Sequence, residues 1–182
     1  GSSEALDLLA GSTLVAGPGF DGRTTPGGSE LEATWAPDGQ SVVFVASDNR
    51  HQSAWSFTHT DLWQVPAGGG EPRRLTNPGV EGVGASYWQP RFSPDGRTLY
   101  ALTTPRSDRV YNASRLASFD WPRLRPGPEI ELPGTLSVSS YAIAGDSRTL
   151  WLSAEHEGHE KVYRARAGQA GASLAFDMDR GL

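Results

Sequence analysis

Residues 92–104 read "FSPDGRTLYALTT", residues 35–47 read "WAPDGQSVVFVAS", and residues 143–155 read "IAGDSRTLWLSAE". The same turn and the same apolar run are thus written three times in one chain. Aligned on Asp38, Asp95 and Asp146, the copies lie 57 and 51 residues apart. That is a little above the roughly 40 to 50 residues of a four-stranded propeller blade, and loops account for the excess. After each turn come a strand-like run, a variable loop and a second run: "DLWQVPA", "RLASFDW" and "KVYRARA". In the first unit the second run leads through "GGGEPRRLT" to a short strand ending at Thr76, which completes a meander of four strands.

The turn itself is local chemistry. In Ala36-Pro37-Asp38-Gly39 and Ser93-Pro94-Asp95-Gly96, proline presets φ at the first central position, aspartate bonds nearby backbone, and glycine accepts a positive φ at the end. In the third copy Gly145 replaces the proline and Ser147 the glycine, which predicts a looser or differently closed hairpin. The runs that follow, such as Val42-Val43-Phe44-Val45 and Leu150-Trp151-Leu152, are apolar on both parities, as strands buried on both faces are. Stacked blades demand this of their inner strands, whereas a two-layer sandwich exposes one face of each, so the pattern favours a propeller over an immunoglobulin-like sandwich.

The expected fold class is therefore all-β, a propeller fragment of about three four-stranded antiparallel blades. Residues 1–31 are read as a linker and the outer strand of a preceding blade, 32–76 as blade 1, 77–132 as blade 2, and 133–182 as blade 3 with the start of the next. "SEALDLL", residues 3–9, reads either as a capped helical turn with Ser3 as N-cap or as that outer strand, and strand is preferred. "PGFDGRTTPGGSE" is the connection into the first full blade. Three blades do not close a ring, so open sheet edges predict self-association.

Composition narrows the function classes. The chain has 182 residues, 37% hydrophobic and 20% charged, with 22 glycines and 13 prolines scattered as punctuation, which suits a folded domain of short strands and tight turns. Formal charge is −5 and no basic block exceeds Arg73-Arg74, so neither nucleic acid nor an anionic membrane is expected as a partner. Apolar runs of about five residues are too short to span a bilayer. With no cysteine there is no disulfide framework or thiolate site, which leaves bacterial cytoplasm and periplasm both open. Gly1-Ser2 resembles a cloning scar.

Several segments imitate sites. "GPGFDGRT", residues 17–24, has phosphate-loop spacing but carries Arg23 in the lysine position, Pro18 where an N–H is needed, and no helix after it. "AEHEGHEK", residues 154–161, offers His156 and His159 at a metal-like spacing, but Gly158 marks a polar hairpin tip, and no metal or other cofactor is expected. The loop "SDNRHQSAWSFTHTD", residues 47–61, is the candidate binding or interdomain surface, through Arg50, His51, Trp55, Phe57 and His59; the alternative is that the two aromatics merely cover the blade beneath them. No G-x-S-x-G elbow occurs, so no catalytic residue is assigned. "NAS" at Asn112 is formally a glycosylation sequon of the kind that arises by chance.

"WAPDGQSVVFVAS…DLWQVPAGGGEPRRLT" and "PRFSPDGRTLYALTT" resemble the TolB-type, WD-like propeller repeat, W-S-P-D-G-[KR], apolar strand, D-[IL]-[WY], G-G-E-x-R-[RQ]-L-T. "IAGDSRTLWLSAEHEGHEKVYRA" departs from it while keeping the order of parts. This repeat is shared by TolB-like proteins and by the N-terminal propeller of prolyl oligopeptidase family serine peptidases, of acylaminoacyl and dipeptidyl aminopeptidase type. "RLASFDWP" and "LWLSAEHEGHEKVYR" resemble the middle blades of the peptidases. The resemblance implies a non-catalytic portion that gates peptide substrates for a hydrolase domain, those two being the expected partners. The alternatives are a protein-binding scaffold like TolB and, further off, a propeller enzyme with a metal in its channel.

Overall fold

The computed structural model describes residues 5–25, 28, 30–77, 84–106 and 112–177. Two compact units divide it, Gly1–Pro90 and Arg91–Leu182. Among the described residues three antiparallel sheets carry the chain; in the second and third the strands follow one another as a meander, and in the first the last three strands do. They are the blade-like sheets that the repeat predicts.

The first sheet is built on β3, Ser41–Ser47, which pairs with β4, Asp61–Pro66, and through it with β5, Arg73–Arg74. The other edge of β3 is shared. β2, Ala33–Trp35, covers Val42 to Phe44, while β1, Asp21–Gly22, covers Ala46 and Ser47. Between them the Arg23 N–H donates to the Val45 carbonyl and the Val45 N–H to the Glu32 carbonyl. This sheet therefore holds five strands instead of the expected four, because residues 20–25 fold back on residues 30–33 rather than simply connecting. Four strand positions remain across its width.

Of the stretch 3–9, residues 5–9 do not form the strand preferred from sequence. Ser3 lies outside the described residues, and residues 5–11 carry no strand. Leu8 and Leu9 instead pack, with the one-turn helix α1, Thr13–Ala16, on a core of Phe44, Ala46, Trp63 and Val65. Ser12 caps that helix by accepting from the Val15 N–H, and Glu71 accepts from the Thr13 N–H and hydroxyl, which holds its carboxyl below the usual range.

The second sheet runs β6, Ser86–Phe92, β7, Thr98–Thr104, β8, Arg115–Asp120, and β9, Arg125–Pro126. The third runs β10, Ser140–Ile143, β11, Thr149–His156, β12, His159–Arg166, and β13, Ala172–Asp177. The strand after each repeated turn is central, as its composition requires. Val43 to Ser47 on β3 and Leu99 to Thr103 on β7 are buried without alternation, whereas β11 buries Leu150, Leu152 and Ala154 and leaves Trp151 and Ser153 half-buried. Within the second unit Tyr141 donates its hydroxyl to the Tyr100 carbonyl, an apolar contact fixed by one polar tip.

The three turns close alike. The amide at the turn's first residue bonds the strand's first carbonyl in each: Ala36 to Ser41, Ser93 to Thr98, and Ala144 to Thr149. Each aspartate accepts from the amide two residues on, Asp38 from Gln40, Asp95 from Arg97 and Asp146 from Arg148. The third is not looser. Ser147 takes the positive φ of +56° that Gly39 and Gly96 take at +68° and +71°, and Asp146 adds two bonds from Thr149. The expected polar tip between β11 and β12 is a two-residue hairpin, with Glu157 and Gly158 both at positive φ.

Candidate functional site

The loop between β3 and β4 folds around a buried asparagine. Asn49 Nδ2 donates to the Phe57 carbonyl at 3.1 Å, and its Oδ1 accepts from the Ser47 hydroxyl at 2.9 Å and the His59 N–H at 3.3 Å. A 3-10 turn at Arg50–Gln52 follows it. With both ends tied to Asn49, the middle is pushed into solvent and the end turned inward. Trp55 and Phe57 are 76% and 74% exposed, so they do not cover the blade beneath them, while His59 is 5% exposed.

The five candidate residues thus separate. Arg50 and His59 meet at a cavity of about 310 Å³, lined also by Asp21, Arg23, Thr58, Thr60 and Trp88. Arg50 Nε sits 3.7 Å from Asp21 Oδ2. Arg23 lies over the Trp88 ring at 5.5 Å and 3.4 Å from the buried Glu32, which also accepts from the Gln89 N–H. His51 and Asp48 press on the backbone at Gly19, where a Cβ would stand 2.5 Å from His51 Nδ1 and 1.9 Å from the Asp48 carbonyl oxygen; only glycine fits there. Trp55 and Phe57 lie away from the cavity lining.

Behind His59 stands a cluster that the sequence reading missed. His59 and Asp61 are two residues apart in extended chain, so they project to one side. Asp61 is 1% exposed; its Oδ1 accepts from Thr76 Oγ1 and from Asn77 Nδ2, both at 2.7 Å, and Thr76 Oγ1 also accepts from the Leu62 N–H. Asp61 Oδ2 is 3.3 Å from His59 Nε2 and 3.7 Å from Arg74, and is hydrogen-bonded to neither. The Arg74 guanidinium pairs with Asp48 and lies 4.9 Å from the Trp63 ring centroid, while the Trp63 indole N–H donates to the Ala46 carbonyl. Burial pulls Arg74 below its ordinary range, yet a guanidinium stays a cation in any protein.

Among the described residues, Asp48, His59 and Asp61 are the one group of three metal-competent side chains whose donor atoms lie within 4.8 Å of one another. Neither His59 nitrogen has a hydrogen-bond partner, so His59 activates no hydroxyl in this arrangement. His156 and His159 face each other across the β11–β12 tip, with His156 4.0 Å from the exposed Glu157. The signal in the sequence was the His-x-Asp spacing at the end of the loop. It is a weak one, because Arg74 on β5 and Thr76 two residues beyond it are brought alongside only by the pairing of β5 with β4.

No known family pattern matches the chain. It is 23% identical over 159 residues to dipeptidyl-peptidase 5 of Porphyromonas gingivalis, a match that covers 86% of this chain and 22% of that protein. Its fold resembles the solved structure of a TolB protein of Agrobacterium tumefaciens at a TM-score of 0.53 and 18% identity, over 82% of this chain and 48% of the other. The fold is accordingly TolB-like, a propeller fragment of about three blades. The chain spans about a fifth of the peptidase and about half of the TolB chain.

Proposed function

We propose that this chain is the non-catalytic propeller portion of a serine peptidase of the dipeptidyl-peptidase type, which gates or orients peptide substrates for a hydrolase domain in the same polypeptide. The observation that carries the reading is the peptidase similarity along 86% of the chain. Its sequence has no nucleophile elbow, which suits a division of labour between a propeller that admits peptides and a domain that cuts them. The cavity between Arg23 and Arg50 offers cationic and hydroxyl groups to a peptide end, and the exposed Trp55 and Phe57 offer an apolar surface to the hydrolase domain.

The test is the reading frame beyond the codon for Leu182 together with one assay. A G-x-S-x-G elbow followed by Asp and His is expected downstream, and the longer polypeptide should release dipeptides from a chromogenic substrate while the 182-residue chain alone releases none. A frame without an elbow sinks the reading. The second reading, a protein-binding scaffold like TolB, is favoured by the same exposed aromatics and predicts a frame with no hydrolase domain.

A further inference from the structure

The cluster behind the cavity carries more negative than positive charge. Asp48 and Asp61 supply two carboxylates, Arg74 one guanidinium, and His59 in its neutral form nothing. The excess sits where it is hardest to bear, on a carboxylate 1% exposed with one oxygen fully bonded and the other without a hydrogen bond. Beside that oxygen is an imidazole 5% exposed, neither of whose nitrogens has a partner. Buried polar atoms are paired as a rule, and His59 Nε2 and Asp61 Oδ2, 3.3 Å apart and neither hydrogen-bonded, mark a place built for something else.

We propose that Asp48, His59 and Asp61 bind a divalent transition-metal ion of the zinc class. One imidazole and two carboxylates are a donor set that suits zinc. Ligand bonds of about 2.0 to 2.2 Å place donors around one ion roughly 3 to 3.5 Å apart. The 3.3 Å between His59 Nε2 and Asp61 Oδ2 already has that spacing, and the set as a whole lies within 4.8 Å, so a small movement of the partly buried Asp48 completes it. Thr76 and Asn77 hold Asp61 Oδ1 and leave Oδ2, with Arg74 3.7 Å away, without a hydrogen bond, the arrangement that orients a ligand carboxylate. Arg74 keeps its bond to one oxygen of Asp48 while the other turns to the metal. Three protein ligands leave a coordination position for water or for an oxygen of a molecule in the cavity that His59 lines.

The competing account is a proton on His59, which would cancel the one excess negative charge that a divalent ion overshoots by one. Calorimetric titration of the 182-residue chain with zinc chloride separates the two, in a background of His156→Gln and His159→Gln that removes the exposed pair. One zinc per chain is expected, with affinity lowered about 100-fold or more in His59→Gln and in Asp61→Asn, and about 10- to 100-fold in Thr76→Val. Cobalt(II) added to the chain with its cluster intact should give the intense visible bands of a four- or five-coordinate site, a readout that requires no variant of Asp61 to fold. Zinc binding unchanged by His59→Gln, or no binding with the pale spectrum of aqueous cobalt, overturns the site. A His59 imidazole found charged at neutral pH by nitrogen NMR, in a chain that takes no zinc, assigns the charge to the proton instead.

Discussion

The Asp95 N–H donates to Ser147 Oγ at 3.0 Å, so the turn that closes one hairpin is fastened to the turn that closes the next. The residue that replaces glycine in the third repeat is the one that makes this bond. A non-glycine residue at φ +56° carries a conformational cost, and here its hydroxyl returns part of it. Departure from the repeat at this position is therefore an exchange of backbone ease for a tie within the second unit.

Gly39→Ala and Gly145→Ala should differ in sign. Both glycines face open space, so no steric contact distinguishes them. Gly39 stands at φ +68°, which costs an alanine about 1 to 2 kcal/mol, whereas Gly145 has an ordinary φ and alanine there restricts the unfolded chain, a gain of about 0.4 to 1 kcal/mol. Urea denaturation of the two variants checks it. Equal shifts in the midpoint would show that the three turns are not conformational equivalents.

Asp146 predicts an acid dependence. Amide bonds from Thr149 and Arg148, with the Thr149 hydroxyl, hold its carboxyl down at about 2 from an ordinary 3.8. Because the folded value is the lower, the carboxylate stabilises the fold above the unfolded value, and that contribution is lost as pH falls through about 2. Thermal melts from pH 6 to pH 2 should show Asp146→Asn less stable than the parent at pH 6 and converging with it near pH 2. A constant gap between the two would show that the charge is not what matters. Asp95 is lowered in the same direction, chiefly by the Ser93 hydroxyl, and adds to the parent's slope.

What was legible in the sequence was local. Pro37-Asp38-Gly39 and Pro94-Asp95-Gly96 announce a turn by chemistry contained in three residues, and runs like Val42 to Val45 announce a central strand by apolarity on both parities. Ser147 was misread because a left-handed residue that is not glycine has no signature until its partner Asp95 is in place. Asp21-Gly22 has none of the residues that favour strands; it pairs because the upper half of β3 has an edge left uncovered by β2. The Asp61 network was hidden for the same reason, since Thr76 and Arg74 reach it from 15 and 13 residues away, across the sheet.

Thr76→Val tests that network as structure, apart from any metal. The buried hydroxyl donates to Asp61 and accepts from the Leu62 N–H, and valine keeps the volume while leaving both partners short of a bond. Loss of about 1 to 3 kcal/mol in urea denaturation is expected, because leaving buried groups unsatisfied costs more than a hydrogen bond returns. Thr76→Ser, which keeps the hydroxyl, should recover most of the loss. If serine fares no better than valine, packing of the methyl is what the site requires.

Self-association of the 182-residue chain should depend on β13. This strand is an edge of the third sheet, so one side of its backbone is open to another chain, and it presents Leu174 and Phe176 at 49% and 59% exposure. Phe176 stacks on Trp151 with ring centroids 6.0 Å apart, which makes an apolar patch beside the open edge. A charge at an exposed edge blocks pairing; at Leu174 it costs little stability, whereas at Phe176 it also removes the stack on Trp151. Sedimentation velocity over micromolar concentrations should therefore show species larger than the monomer for the parent chain, and a shift to monomer for Leu174→Lys and Phe176→Lys, with the melting temperature nearly unchanged for Leu174→Lys. A parent chain that stays monomeric at every concentration removes this edge as an association surface, and association that survives both lysines moves it to another edge, of which β2 with its exposed Trp35 is the next to substitute.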